Sequence, residues 1–385
     1  MKVLFICLFV LLAGPAAAQD LFLFNANGYS YGAGGLMRFD ALLIKDGRVQ
    51  AAGPEAVLRP YAGEVVFRDL GGKTVFPGMV NAGAFIEESL TTACPEAYTP
   101  DCLAAALKSA ASQGITLLLD TATSPALWFT LRSAQDDGVL PVRVHGAIAG
   151  LGEAYDSLGK RRPYVSDVKT ELVLRSVSLT GGRRQDGCAA GPALQRNPVA
   201  LRNQISRGLM RGYQMRVDAN TPTDVENALE AFADIASVAG RERRHLLSLG
   251  GLGQLPAAED ILAAGVVLVV TPCVTALQAE AFKTLFDAGI DLAISSPQPL
   301  LAFQALAGPD SPDSQDGRVA AFQALTLGGA KAAFVSSATG SLEPGKWADF
   351  VVLDRDPFAG PIGGIGNTKV LETWRGGEIV FDASE

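Results

Sequence analysis

From residue 79 to residue 296 the apolar positions follow two alternating periods. Short runs rich in Val, Leu and Ile read as buried strands: "MVNAGAF", "GITLLLD", "PVRVHG", "ELVLRSV", "YQMRVDA", "HLLSLGG", "VVLVVTP" and "DLAISS". Between most of them lie longer stretches with apolar residues three and four apart, such as "PDCLAAALKSAASQG", "TPTDVENALEAFADIASVAG" and "TALQAEAFKTLFDAG", which predict amphipathic helices. Strands and helices alternating in this way predict a closed parallel (β/α)8 barrel of the TIM type over residues 77–335. No glycine-rich phosphate loop follows the first run, which argues against an open dinucleotide-binding sheet. Gly150–Lys169 and Thr180–Pro198 are polar and glycine-rich, and read as loops on the barrel face.

The flanks carry a different pattern. "ALLIKDGRVQAAG" is a hairpin signal centred on Asp46-Gly47, followed by "EVVFRDL"; near the other end, "ADFVVLDRD" and "VLETWRGGEIVF" surround a Gly376-Gly377 turn. Strand-rich segments at both ends of a barrel pair most simply with each other. We therefore expect a second, small β-sandwich domain built from residues 19–76 and 336–385.

The first residues change the picture of where the chain works. Lys2, an apolar run from Val3 to Ala13 and Ala16-Ala17-Ala18 before Gln19 have the form of a secretory signal over residues 1–18. The run is short for a permanent span, so no stable membrane insertion is expected after cleavage, and the location expected is periplasmic or secreted. Cys94, Cys102, Cys188 and Cys273 remain beyond the signal. In an oxidising compartment the close pair Cys94/Cys102 is the natural loop staple. The net charge of −8, with no block of Lys or Arg, excludes nucleic acid as an expected partner.

Several stretches resemble the metal-dependent amidohydrolase superfamily. "GSLEPGKWADFVVLDRDPF" is similar to its C-terminal Gly-Lys-x-Ala-Asp turn, "ALTLGGAKAAF" to its last barrel helix, and "DGRVQAAG" with "VFPGMVNAG" to its N-terminal hairpin and first barrel strand. The resemblance implies a hydrolase of carbon–nitrogen bonds. It also implies metal ligands, and at those positions this chain differs. The His-x-His pair on strand one aligns with Gly83 and Phe85, the strand-four lysine with Glu171, the strand-five histidine with Asp218, the strand-six histidine with Leu249 and the strand-eight aspartate with Ser296. A count agrees with this. A catalytic zinc takes about three protein ligands, often His, and the chain has two histidines, His145 and His245. We expect no metal and no other cofactor.

At the carboxyl ends of the strands the remaining candidates are Glu87, Glu88, Asp120, His145, Asp218, Cys273, Ser295 and Ser296. Of these, Asp218, Asp120 and His145 are the catalytic candidates, able to form an acid/base site without metal. The acidic residues equally fit a reading in which they stay solvated, and Asp120 one in which it positions a loop. No Gly-x-Ser-x-Gly elbow supports a serine nucleophile. Two functions follow. The first is an amidohydrolase-like protein that binds an unknown small molecule or a homologous protein partner without catalysis. The alternative is an active hydrolase of amide or cyclic amide bonds through the rebuilt site.

Overall fold

The computed structural model describes residues 19–94, 98–160, 162–166, 171–180, 193–239, 244–250, 255–272, 276–309 and 314–385. The segment expected as a signal, Cys188, Cys273 and most of the stretch expected as a loop between Thr180 and Pro198 lie outside them. Eight parallel strands run Met79–Ala84, Ile115–Asp120, Arg143–Ala149, Leu172–Thr180, Gln214–Ala219, His245–Gly250, Val266–Thr271 and Leu292–Ile294, each bonded to the next in sequence. We number these the first to eighth barrel strands.

Local chemistry starts the crossover helices. Thr99-Pro100, Ser124-Pro125 and Asn197-Pro198 each put a capping oxygen before a proline. Their side chains accept from the backbone N–H three residues on, at Cys102 (3.2 Å), Leu127 (3.1 Å) and Ala200 (2.9 Å). The cap supplies an acceptor for an otherwise orphaned donor, and proline at the first helical position loses nothing. The third crossover is not plain loop: it contains a helical turn, Tyr155–Gly159, and a two-residue strand, Tyr164–Val165, antiparallel to the fourth barrel strand. The buried Tyr155 ring, edge-on to Tyr213 at 6.1 Å, holds this turn against the barrel.

The barrel is nearly closed. No backbone ladder joins the eighth strand to the first. Side chains bridge the upper part of the seam: Ser295 Oγ donates to the Gly83 carbonyl at 3.2 Å, and the Ser296 N–H donates to Asn81 Oδ1 at 3.1 Å. Lower down, the helical segment Ala324–Ala332 packs into it. A Cβ at Gly328 would strike the Leu292 carbonyl and one at Gly329 the Val80 side chain, which explains the paired glycines of "TLGGAK".

The termini form two further sheets, one of four strands and one of six. Thr74–Pro77 pairs antiparallel with Phe350–Leu353, so both ends of the chain interleave in one sheet. Asp46 and Gly47 both have positive φ (51° and 70°), as do Gly376 and Gly377 (60° and 79°), the geometry of the tight hairpins expected from sequence. The sandwich is fixed to the amino ends of the barrel strands by charge. Arg143 Nη1 lies 2.9 Å from Asp349 Oδ2 with both side chains 1% exposed, and Asp349 also accepts from Thr339 Oγ1 and the Gly376 N–H. Cys94 and Cys102 are joined as a disulfide, Cα atoms 6.2 Å apart.

Candidate active site

Strand alternation decides which side chains reach the barrel axis. On the fifth strand, Met215, Val217 and Ala219 join the core beneath the helices, which leaves Gln214, Arg216 and Asp218 facing inward. On the third strand Val144 and Ile148 face outward, so Arg143, His145 and Ala147 face inward. On the second strand, Leu117 and Leu119 belong to the axial cluster and Leu118 to the outer core, so Asp120 stands on the outer side. The three catalytic candidates therefore do not converge as one triad.

Asp218 is buried, not solvated. Its Oδ1 lies 2.7 Å from Arg216 Nε, and its Oδ2 accepts from Ser178 Oγ at 3.0 Å. Arg216 also donates from Nη1 to the Ala82 carbonyl of the first strand (2.6 Å) and from Nη2 to Ser248 Oγ of the sixth (2.9 Å). One guanidinium thus ties together three strands at the axis. Asp120 is also buried. Its Oδ1 accepts from the Ile86 N–H at 3.1 Å and its Oδ2 from Thr123 Oγ1 at 2.6 Å, fastening the helix Ile86–Ala93 to the end of the second strand. Burial pushes its carboxyl up to about 6, against the pull of those hydrogen bonds. His145 is 6% exposed. His145, Arg175 and Arg216 line an axial cavity of about 10 Å³, room for roughly one water; Asp120 borders it from the end of its strand while its carboxylate stays bonded to Ile86 and Thr123 on the outer side.

The residues at the superfamily's metal positions are scattered. A Cβ at Gly83 would collide with the Ser295 hydroxyl and lie 3.3 Å from Arg216 Nη2, so an imidazole has no space there. Phe85 is 41% exposed, just before a helix. Glu171 stands at the amino end of the fourth strand and pairs with Arg375 of the sandwich at 2.8 Å, the wrong end for a ligand at the mouth. Leu249 is buried in the outer core, and Ser296 binds Asn81 across the seam. Among the described residues no group of three His, Cys, Asp or Glu is placed to hold a metal ion. The residues present do not fit one: a fixed guanidinium occupies the centre and repels a dication.

Glu87 and His245 have structural partners. Glu87 accepts from Ser124 Oγ at 2.9 Å. His245 is buried at the amino end of the sixth strand, its Nδ1 accepting from the Met215 N–H at 3.1 Å and its ring stacked on Phe232. Arg216 is the residue that sequence reasoning missed. Its signal was present, because "QMRVDA" places an arginine two residues before Asp218, on the same face of an otherwise apolar strand.

This architecture, a parallel eight-stranded barrel carrying a sandwich built from both termini, is shared with several solved structures. An uncharacterized metal-dependent hydrolase from Pyrococcus furiosus superposes with TM-score 0.72 at 15% identity, over 88% of this chain and 100% of that one. Molinate hydrolase matches with TM-score 0.65 and 16% identity (94% and 95%), and the zinc complex of atrazine chlorohydrolase TrzN from Arthrobacter aurescens TC1 with 0.62 and 14% (94% and 95%). No curated protein sequence matches. The amidohydrolase family model matches residues 81–381, and the chain belongs to the amidohydrolase family.

Proposed function

We propose that this amidohydrolase-family chain does not hold the family's metal, and acts by binding a small molecule or a protein partner rather than by hydrolysing one. Arg216 carries the reading: its guanidinium, held by Asp218, Ser248 and the Ala82 carbonyl, supplies a permanent cation where the family's chemistry requires an exchangeable dication. A buried arginine stays charged, and its planar fork matches acceptors on three strands at once. The test is metal analysis of the purified mature protein after incubation with zinc, manganese and iron salts. We expect less than about a tenth of an equivalent to be retained. Stoichiometric metal, removed by chelator together with a hydrolytic activity, overturns the proposal.

The signal-like segment and the Cys94–Cys102 disulfide support a periplasmic or secreted location, where such a bond persists. The protein partner proposed is a homologous chain, and native mass measurement of the complex isolated from its own compartment tests this.

A second reading is a hydrolase of amide or cyclic amide bonds through a rebuilt carboxylate/His site; the comparisons favour its hydrolase class, since the activities named among the similar structures are hydrolytic. Within this chain it draws support from the raised Asp120 carboxyl, suited to proton transfer near neutrality, and separately from His145, which lines the small axial cavity. Turnover of linear or cyclic amides by chelator-treated protein, lost in Asp120→Asn and His145→Ala, would establish it. The binding proposal requires that no such turnover be found.

A further inference from the structure

Outside the barrel, a groove of about 390 Å³ lies where three segments meet: the start of the helix Pro299–Leu306, the residues after the short helix Ile362–Asn367, and the carboxyl end of the helix Pro100–Ser112. That volume falls within the few hundred to about 1,000 Å³ typical of small-molecule sites. Its apolar surface is accessible. Leu301 is 45% exposed, and Val370 and Leu371 are partly exposed beside it.

Three kinds of donor border the groove without acceptors of their own. The first is the helix start. Gln298 stands at the N-cap position with no side-chain hydrogen bond, and Pro299 has no N–H to offer. The next two donors, the N–H groups of Leu300 and Leu301, have no acceptor among the described residues, and both residues line the groove. An open helix start carries partial positive charge and takes anions through such groups.

The second is Thr368. The Gly366 N–H donates to Gln304 Oε1 at 2.8 Å, which fixes the short helix against the longer one and sets Thr368 on the groove wall. Thr368 is 8% exposed and its hydroxyl has no hydrogen-bond partner. Leaving a buried hydroxyl unpaired is costly, and a ligand oxygen that accepts from it recovers the cost. The third is Lys369, the single charged side chain among the described lining residues, with no carboxylate partner among them. All three favour a negatively charged oxygen.

We infer that this groove binds a small molecule with a carboxylate head and an apolar body. The head is held by Lys369, the Thr368 hydroxyl and the open start of the helix, and the body lies along Leu301. The inference goes beyond the reading of the barrel axis and holds whether or not the axis hydrolyses anything. Metal analysis and amide turnover report on the axis, and anion binding reports on the groove, so failure of one is distinguishable from failure of the other.

The experiment is a fluorescence titration of the purified chain with anilinonaphthalene sulfonate, followed by displacement with octanoate and with octylamine. Octanoate is expected to displace the dye at a concentration at least fivefold below octylamine. Lys369→Gln should weaken octanoate at least threefold. Thr368→Val keeps the shape of the side chain and removes a hydroxyl that bonds nothing in the free protein. Its unfolding midpoint should therefore not fall, while octanoate weakens at least threefold. Ser112→Trp, which sets a large ring on the groove wall, should weaken dye binding at least tenfold in a chain that keeps the circular dichroism of the parent. Equal competition by octylamine in the unsubstituted chain overturns the inference. So does a chain that takes up no dye, or octanoate binding that is unchanged in both Lys369→Gln and Thr368→Val.

Discussion

Arg216 and Asp218, two residues apart on one strand, form an ion pair of 2.7 Å with side chains 3% and 10% exposed. On a strand that spacing puts both side chains on the same face, so the backbone alone brings the charges together. The pair also spans the axis of the barrel, because both terminal nitrogens of the guanidinium donate to other strands, one to strand one and one to strand six. The same arrangement therefore helps hold the barrel together.

Removing one member should show this. Arg216→Met leaves the Asp218 carboxylate buried without its counter-charge, and urea unfolding should report a loss of about 3–5 kcal/mol. The double variant Arg216→Met/Asp218→Leu should recover most of that loss. A single variant as stable as the parent would remove the ion pair from the account of the core.

At the seam, Gly83→Ala should cost about 1–3 kcal/mol, because the new methyl meets the Ser295 hydroxyl. Adding Ser295→Gly should restore much of the stability. The comparison of the two unfolding midpoints separates this clash from any general intolerance of the strand to substitution.

The buried carboxyl of Asp120 gives a pH signature with a defined sign. Its value is raised from 3.8 to about 6 by burial, so the folded state binds the proton more tightly than the unfolded chain. The stabilisation is fully present below about 3.8 and lost as pH rises through about 6, amounting to about 3 kcal/mol across that window. Unfolding free energies measured from pH 4 to pH 7 should fall less steeply in Asp120→Asn than in the parent. Parallel curves would contradict the assignment.

The Cys94–Cys102 bond closes a loop with a sequence separation of 8. On the chain-entropy account its loss in Cys94→Ser/Cys102→Ser should lower stability by about 2.5 kcal/mol. Thiol titration of the denatured parent should show both sulfurs blocked before reduction and free after it.

The two periods of the apolar pattern determined the barrel, and Asp46-Gly47 and Gly376-Gly377 determined the sandwich hairpins, because strand alternation, helical spacing and positive-φ turns are local properties of a chain. The departures at Gly83, Phe85 and Asp218 could likewise be read residue by residue. What the sequence left open was which side chains meet. Asp120 and His145 stand in similar apolar runs, yet one fastens a helix on the outer side and the other faces the axis, a distinction that depends on the register of each strand in the closed sheet. Glu171, aligned with the family's strand-four lysine, lies at the amino end of its strand against Arg375, a partner that only the docked sandwich supplies. Arg216 became the central residue only when strands one, five and six were brought around it, because a buried guanidinium is stable only where several acceptors from distant parts of the chain converge.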